Sequence, residues 1–150
     1  MKYSMIAATL TLGMNMVSLT PQHAASLTGN WITSDHTIVQ TYKCGTGMIC
    51  IRIVQTTDES ATDSKNPNTS LRKRSLCGLE IGKDFTVADN AHAKGGKLYD
   101  PDSGTTYSSE MSAGDDALKV RGYVGISMFG RTEVWHRNTE DIRPCKTQGQ

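Results

Sequence analysis

Beyond residue 25 the chain carries no long stretch with the 3.6-residue apolar repeat of a helix. Its apolar residues fall in short runs that alternate with period two. Ile49, Ile51 and Ile53 share one side of such a run, and Cys50 and Arg52 the other. Between Thr37 and Lys43, Ile38, Gln40 and Tyr42 lie on one side and Val39 on the opposite one. Leu27 to Ser34 reads as a first strand. Leu76 to Ile81 and Phe85 to Val87 read as two short ones, Lys97 to Tyr99 and Thr105 to Tyr107 as the arms of a turn. Leu118 to Val124 and Thr132 to Arg137 read as the last two. Gly, Asn, Asp and Pro punctuate the runs at close intervals. About eight short strands so spaced predict an antiparallel barrel or sandwich. Closing the sheet leaves no unpaired edge to aggregate, so the expectation is an all-β, up-and-down antiparallel barrel.

Two connections carry more information than the rest. Asp100-Pro101-Asp102-Ser103-Gly104 resembles the opening of a calcium loop, but Gly104 lacks the third oxygen and Glu110 falls one place short of the closing carboxylate. Pro presets φ, Asp bonds its own backbone and Gly takes positive φ, so a tight turn fits better. Thr56 to Ser70 is a long polar loop, of a length that is functional or mobile in small domains. Its oxygen-rich residues Asp58, Glu59, Asp63 and Asn66 read as solvated, with Asp63 capping a turn before Asn66-Pro67. The basic run Arg72-Lys73-Arg74 reads as a solvated loop or strand edge.

Residues 1–25 have the three-part pattern of a cleaved secretory signal: Lys2, an uncharged run from Met5 to Leu19, a polar stretch and then Ala24-Ala25. The run is shorter than the roughly 20 residues that span a bilayer. The cut position is left open, because Gln22 and His23 are not the small residues preferred before it. Residues 26–150 then form one domain, with no transmembrane segment. With 16 basic and 15 acidic residues, and Lys2 lost with the leader, the mature chain is neutral. That removes the bulk argument for nucleic acid. With 37% hydrophobic and 21% charged residues, polytopic membrane, collagen-like and disordered classes are excluded.

All four cysteines, Cys44, Cys50, Cys77 and Cys145, lie in the mature part, and an even count in an exported chain reads as two disulfides. Of three connectivities, the turn Gly45-Thr46-Gly47 favours Cys44 with Cys50, leaving Cys77 with Cys145. Without a C-x-x-C pair the spacing does not suit zinc.

Gly29-Asn30-Trp31 opens the first strand and Trp135-His136-Arg137 closes the last, strands that barrel closure makes neighbours. Gly29 would let backbone pass close, Trp31 would plug the closed end and Arg137 would lie over its indole. This resembles the lipocalin and wider calycin signature. A second resemblance spans nearly the whole mature chain. GNW (29–31), KCGTGMIC (43–50), DSKNP (63–67), RSLCGLEI (74–81), GGKLYDPDSGTTY (95–107), LKVRGYVG (118–125) and GRTEVWHR (130–137) are similar, in order and spacing, to the bacterial domain-of-unknown-function family 2147. The resemblance implies a small exported protein, in the periplasm or secreted, and implies no established activity. Ala91-His92-Ala93 stands where the family often has an aromatic residue.

For catalysis a nucleophile needs a base in reach and a group to orient it. His23, His36, His92 and His136 lie in no nucleophile motif, there is no G-x-S-x-G, and the thiols are paired. No catalytic residue, metal or cofactor is expected, and an enzyme ranks third among the readings. On the late strands Lys119, Arg121 and Tyr123 share one face, opposite Leu118, Val120 and Val124. Arg131, Glu133, Trp135 and Arg137 share another, opposite Thr132 and Val134. Antiparallel pairing would bring Arg121 toward Glu133, lining a cavity or decorating the outside; strand parity leaves both open. The leading reading is carriage of a small apolar or amphipathic ligand in the barrel mouth. Its candidate residues are Tyr42, Tyr99, Tyr107, Arg121, Tyr123 and Trp135, and its rim would be loops 56–70 and 84–94. The alternative is an envelope protein–protein interaction module with a filled barrel. A hollow of roughly 300 Å³ or more favours the first, and a filled interior with an exposed apolar patch the second.

Overall fold

The structure, a computed structural model, describes residues 25–145; apart from Ala25, the leader expected over 1–25 lies outside the described residues. Eight strands follow one another: β1 (Gly29–Ile32), β2 (Ile38–Gly45), β3 (Met48–Gln55), β4 (Glu80–Val87), β5 (His92–Asp100), β6 (Thr105–Ala113), β7 (Ala117–Tyr123) and β8 (Arg131–Arg137). They close into an antiparallel barrel in sequence order, with β8 returning to β1 through Trp31↔Arg137 and Ile32↔His136. The only helices among the described residues are single 3-10 turns at Thr69–Leu71 and Ser127–Phe129.

Two expected strands, 76–81 and 85–87, are in fact the single strand β4. It bends at Asp84, whose φ is 63°. Leu76 to Leu79 belongs instead to the preceding loop. That loop returns to the sheet through Leu79 and Gly78, both bonded to the backbone of Ile53. Strands β5 and β6 are longer than their apolar residues suggested, for a packing reason. Their inward positions include Ala93, Gly96 and Ser109, small because large neighbours fill the space. A Cβ on Gly96 would stand 2.3 Å from the Phe85 ring, and one on Gly82 2.6 Å from Ile51.

The turns at 46–47, 88–91 and 114–116 gather at one end, and the connections 33–37, 56–79, 101–104 and 124–130 at the other. The segment 84–94, expected at the rim, is therefore the β4–β5 hairpin at the far end. Next to the short turns the interior is solid: Trp31, Ile49, Ile51, Phe85, Ala93, Met111 and Leu118 are buried there. Each apolar side chain buried in this plug stabilises the fold by roughly 25 cal/mol per Å² removed from water.

Both disulfides have the expected partners, Cys44–Cys50 across the β2–β3 turn and Cys77–Cys145 between the long loop and the tail. After β8 the tail bonds Asn30 through Asn138, then the β3 end through Cys145 N–H to Val54 carbonyl. It runs from the closed end to the other.

Candidate functional site

The closed end is built for stability. The Trp31 indole is fully buried, its Nε1 donates to Thr41 Oγ1 at 2.8 Å, and that hydroxyl donates to the Gly29 carbonyl. The Arg137 guanidinium lies 4.3 Å from the indole centroid, a contact worth about 0.5–2 kcal/mol. A Cβ on Gly29 would sit 2.7 Å from Arg137 Nη1, so only glycine admits this stack. Gly29, Trp31 and Arg137 thus take the expected positions.

At the other end the barrel is open. One hollow of about 190 Å³ has a floor of Val39, Ile53, Ile81, Leu98 and Trp135 under a rim that includes Asp35, Asp100 and Asp102. A second, of about 450 Å³, adjoins it through shared Leu98, Asp100 and Glu133. Tyr107, Val120, Tyr123, Phe129 and Arg131 line its other side. Trp135 is 3% exposed and donates its Nε1 to Glu133 Oε2 at 3.0 Å. Burial works against the Asp35 carboxylate, but the Thr33 and Thr37 hydroxyls that bond it hold its pKa below the usual value.

The long loop is fastened beside this mouth by a buried polar knot. Asp63 is fully buried, not solvated as its setting in a polar run suggested. It accepts from Tyr99 Oη, Asn66 Nδ2 and Arg74 Nε, and pairs with Arg74 Nη2 at 2.8 Å. Burial pushes its pKa up, but these bonds and the guanidinium charge outweigh that and hold it low. Burial, then the Asp63 bond and charge, pushes the Tyr99 phenol up. Arg72 Nε donates to the Asn66 carbonyl, so the basic run is partly structural. A Cβ on Gly104 would collide with the Lys65 carbonyl at 2.1 Å, which seats DSKNP on the β5–β6 turn. That turn matches the tight-turn expectation: Asp100 accepts from the Asp102 N–H and the Ser103 hydroxyl.

Of the six candidate ligand residues, Tyr107, Tyr123 and Trp135 border the mouth hollows. Tyr99 touches the smaller hollow but spends its hydroxyl on Asp63. Tyr42 is outside the barrel, bonded to Glu80 and stacked under Arg52 at 4.7 Å. Arg121 is a correction. Its register partner is Thr132, and Glu133 faces Val120, so the two charges point to opposite faces. Arg121 instead grips the β7–β8 loop through the Ser127 and Met128 carbonyls. Val124, expected on the apolar strand face, has left β7 and is 74% exposed beside Ile126, Met128 and Phe129. Sequence reading passed over this loop and Asp35, and took Asp100 and Asp102 as turn residues alone. The signal was present: Gly122 to Gly130 is an uncharged connection between two arginines.

The family model described as "Uncharacterized protein conserved in bacteria (DUF2147)" matches residues 29–137. The chain belongs to this family. The DUF2147 span starts at Gly29 and stops at Arg137, the two residues that interlock at the closed end. Among solved structures the chain is similar to the Helicobacter pylori protein HP1028, described as belonging to the lipocalin family. The two are 25% identical with a TM-score of 0.69, over 78% of this chain and 86% of that one. No curated protein matches the sequence.

Proposed function

We propose that this DUF2147 barrel is an exported carrier that binds a small, partly apolar molecule in its open end. The observation that carries the reading is the half-filled interior. One end is packed solid, and the other holds adjoining hollows of about 190 and 450 Å³ with an apolar floor and aromatic walls. Such a site, lined mostly by apolar groups with a few fixed polar ones, is how small molecules are held and oriented. The lipocalin assignment of HP1028 agrees with it. The two disulfides agree with an oxidising compartment. No helix among the described residues is long and apolar enough to cross a membrane.

The test is native mass spectrometry of protein purified from its own cell envelope without detergent, with identification of any released mass. A stoichiometric small molecule is the expected result. A clean unliganded mass, together with no response of tryptophan fluorescence to lipids and aromatic metabolites, would overturn the carrier.

A second reading rests on a separate observation. Val124, Ile126, Met128 and Phe129 are 74%, 56%, 77% and 80% exposed on one connection. An apolar patch of this kind suits an envelope protein partner. Crosslinking in whole cells from a photoreactive residue at 128 separates the readings: a single protein adduct favours the interaction module.

A further inference from the structure

We infer that the molecule taken by the mouth is an amphipathic cation, an organic amine whose ammonium stays at the rim while its apolar body enters the barrel. The inference rests on the carrier reading and adds the charge of the cargo.

The site is the hollow itself, and its floor dictates an apolar guest: Val39, Ile53, Ile81 and Leu98 present no polar side chain. The sign of the charge comes from what surrounds that floor. Asp35, Asp100, Asp102 and Glu133 line the smaller hollow, and no Lys or Arg does. Among the described residues none of the four is in an ion pair; the two ion pairs found are Arg74–Asp63 and His92–Asp89. Arg131, which lines the larger hollow, makes no ion pair with Glu133. Four carboxylates outside any ion pair bring a negative potential to this opening, with Arg131 on the far side in the adjoining hollow.

The wall agrees. Trp135 presents its indole to the same hollow, with its N–H held by Glu133. A cation near an aromatic face gains about 0.5–2 kcal/mol. A bare metal ion fits less well, because no group of three His, Cys, Asp or Glu among the described residues is close enough to hold one. The carboxylates are spread around an opening, which suits one diffuse organic cation. An anionic guest would lose its hydration to meet like charge, a juxtaposition that weakens or forbids binding.

The test is calorimetric titration of the whole protein with octylamine, octanoate and octanol, three guests with the same chain and different heads. Octylamine is expected to bind at least about tenfold tighter than octanoate, and to weaken as salt rises. Glu133→Gln keeps an acceptor for the indole N–H and removes the charge. Asp102→Asn removes a charge whose carboxylate makes no hydrogen bond to the described residues. Each is expected to weaken octylamine about threefold and leave octanol unchanged. If octanoate or octanol binds as tightly as octylamine, or if neither variant discriminates, the cation inference falls and the carrier stands. If none of the three binds, the carrier reading falls with it.

Discussion

The two tryptophans of this protein are both buried and both bonded through the indole nitrogen, yet they stand in opposite surroundings. Trp31 is enclosed on every side, bonded to a hydroxyl and covered by a guanidinium. Trp135 is bonded to a carboxylate and faces a hollow. Burial does not tell them apart; the neighbours do. At one end the sequence packs the interior solid, with Asn30 Oδ1 and Arg137 Nη2 buried there without a hydrogen-bond partner. At the other it stops its aromatic side chains short of one another and lines the gap with carboxylates. A barrel that needed only to be stable would treat both ends alike.

The contrast is sharpest in stability. Trp31→Ala empties a packed site and is expected to cost about 4 kcal/mol in urea unfolding. Trp135→Ala is expected to cost about half as much, since one side of the ring already lacks packing partners, and to abolish guest binding. Equal losses would erase the distinction. The disulfide that ties the tail to the long loop at the open end comes next. Cys77 and Cys145 are 68 residues apart, so their replacement by serine is expected to cost about 4 kcal/mol. Cys44 and Cys50, six apart, are worth about 2. A smaller pair probes filling. Gly96→Ala drives a Cβ into Phe85 and is expected to cost about 2 kcal/mol. Gly122→Ala meets Tyr107 at 3.4 Å beside the hollow and is expected to change stability by less than about 0.5 kcal/mol while narrowing the site.

A last effect is read in acid. Asp63 has a lowered pKa in the folded protein. Its stabilisation is therefore present above the unfolded value near 3.9 and is lost as pH falls through the folded one. Asp63→Asn is expected to destabilise the protein by about 1–2 kcal/mol at pH 7 and to flatten the acid branch of the stability curve. Asp35, Asp58 and Asp89 are shifted the same way, so a residual slope remains. Limited proteolysis within 56–79 reports the change first at the mouth; early cleavage in the short turns instead would break the assignment of the knot to that end.

Much of this was legible from residue patterns. Alternation in Ile49–Ile53 and the paired G-x-W and Trp-His-Arg ends were sufficient for the barrel and its closure, because both depend on local periodicity and on one neighbour relation. The mouth was harder. Whether Arg121 or Leu118 points inward depends on the register of β7 against β8, which alternation does not specify. Asp63 sits in a run that looks solvated, and its burial is created by Tyr99 and Arg74, distant in sequence. Gly82 and Gly96 look like breaks in weak strands but are the vacancies that Ile51 and Phe85 occupy.

The return of β8 to β1 rests on two residue pairs, whereas every other ladder has at least four. A cylinder whose wall is a continuous meander has one zip, and here it is the shortest ladder in the wall. Amide protons along that seam are expected to exchange fastest among the strands, through openings that leave the other seven ladders intact. The Trp31–Arg137 stack lies on this seam, so its role extends beyond plugging an end: it is the clasp that keeps a sheet a tube.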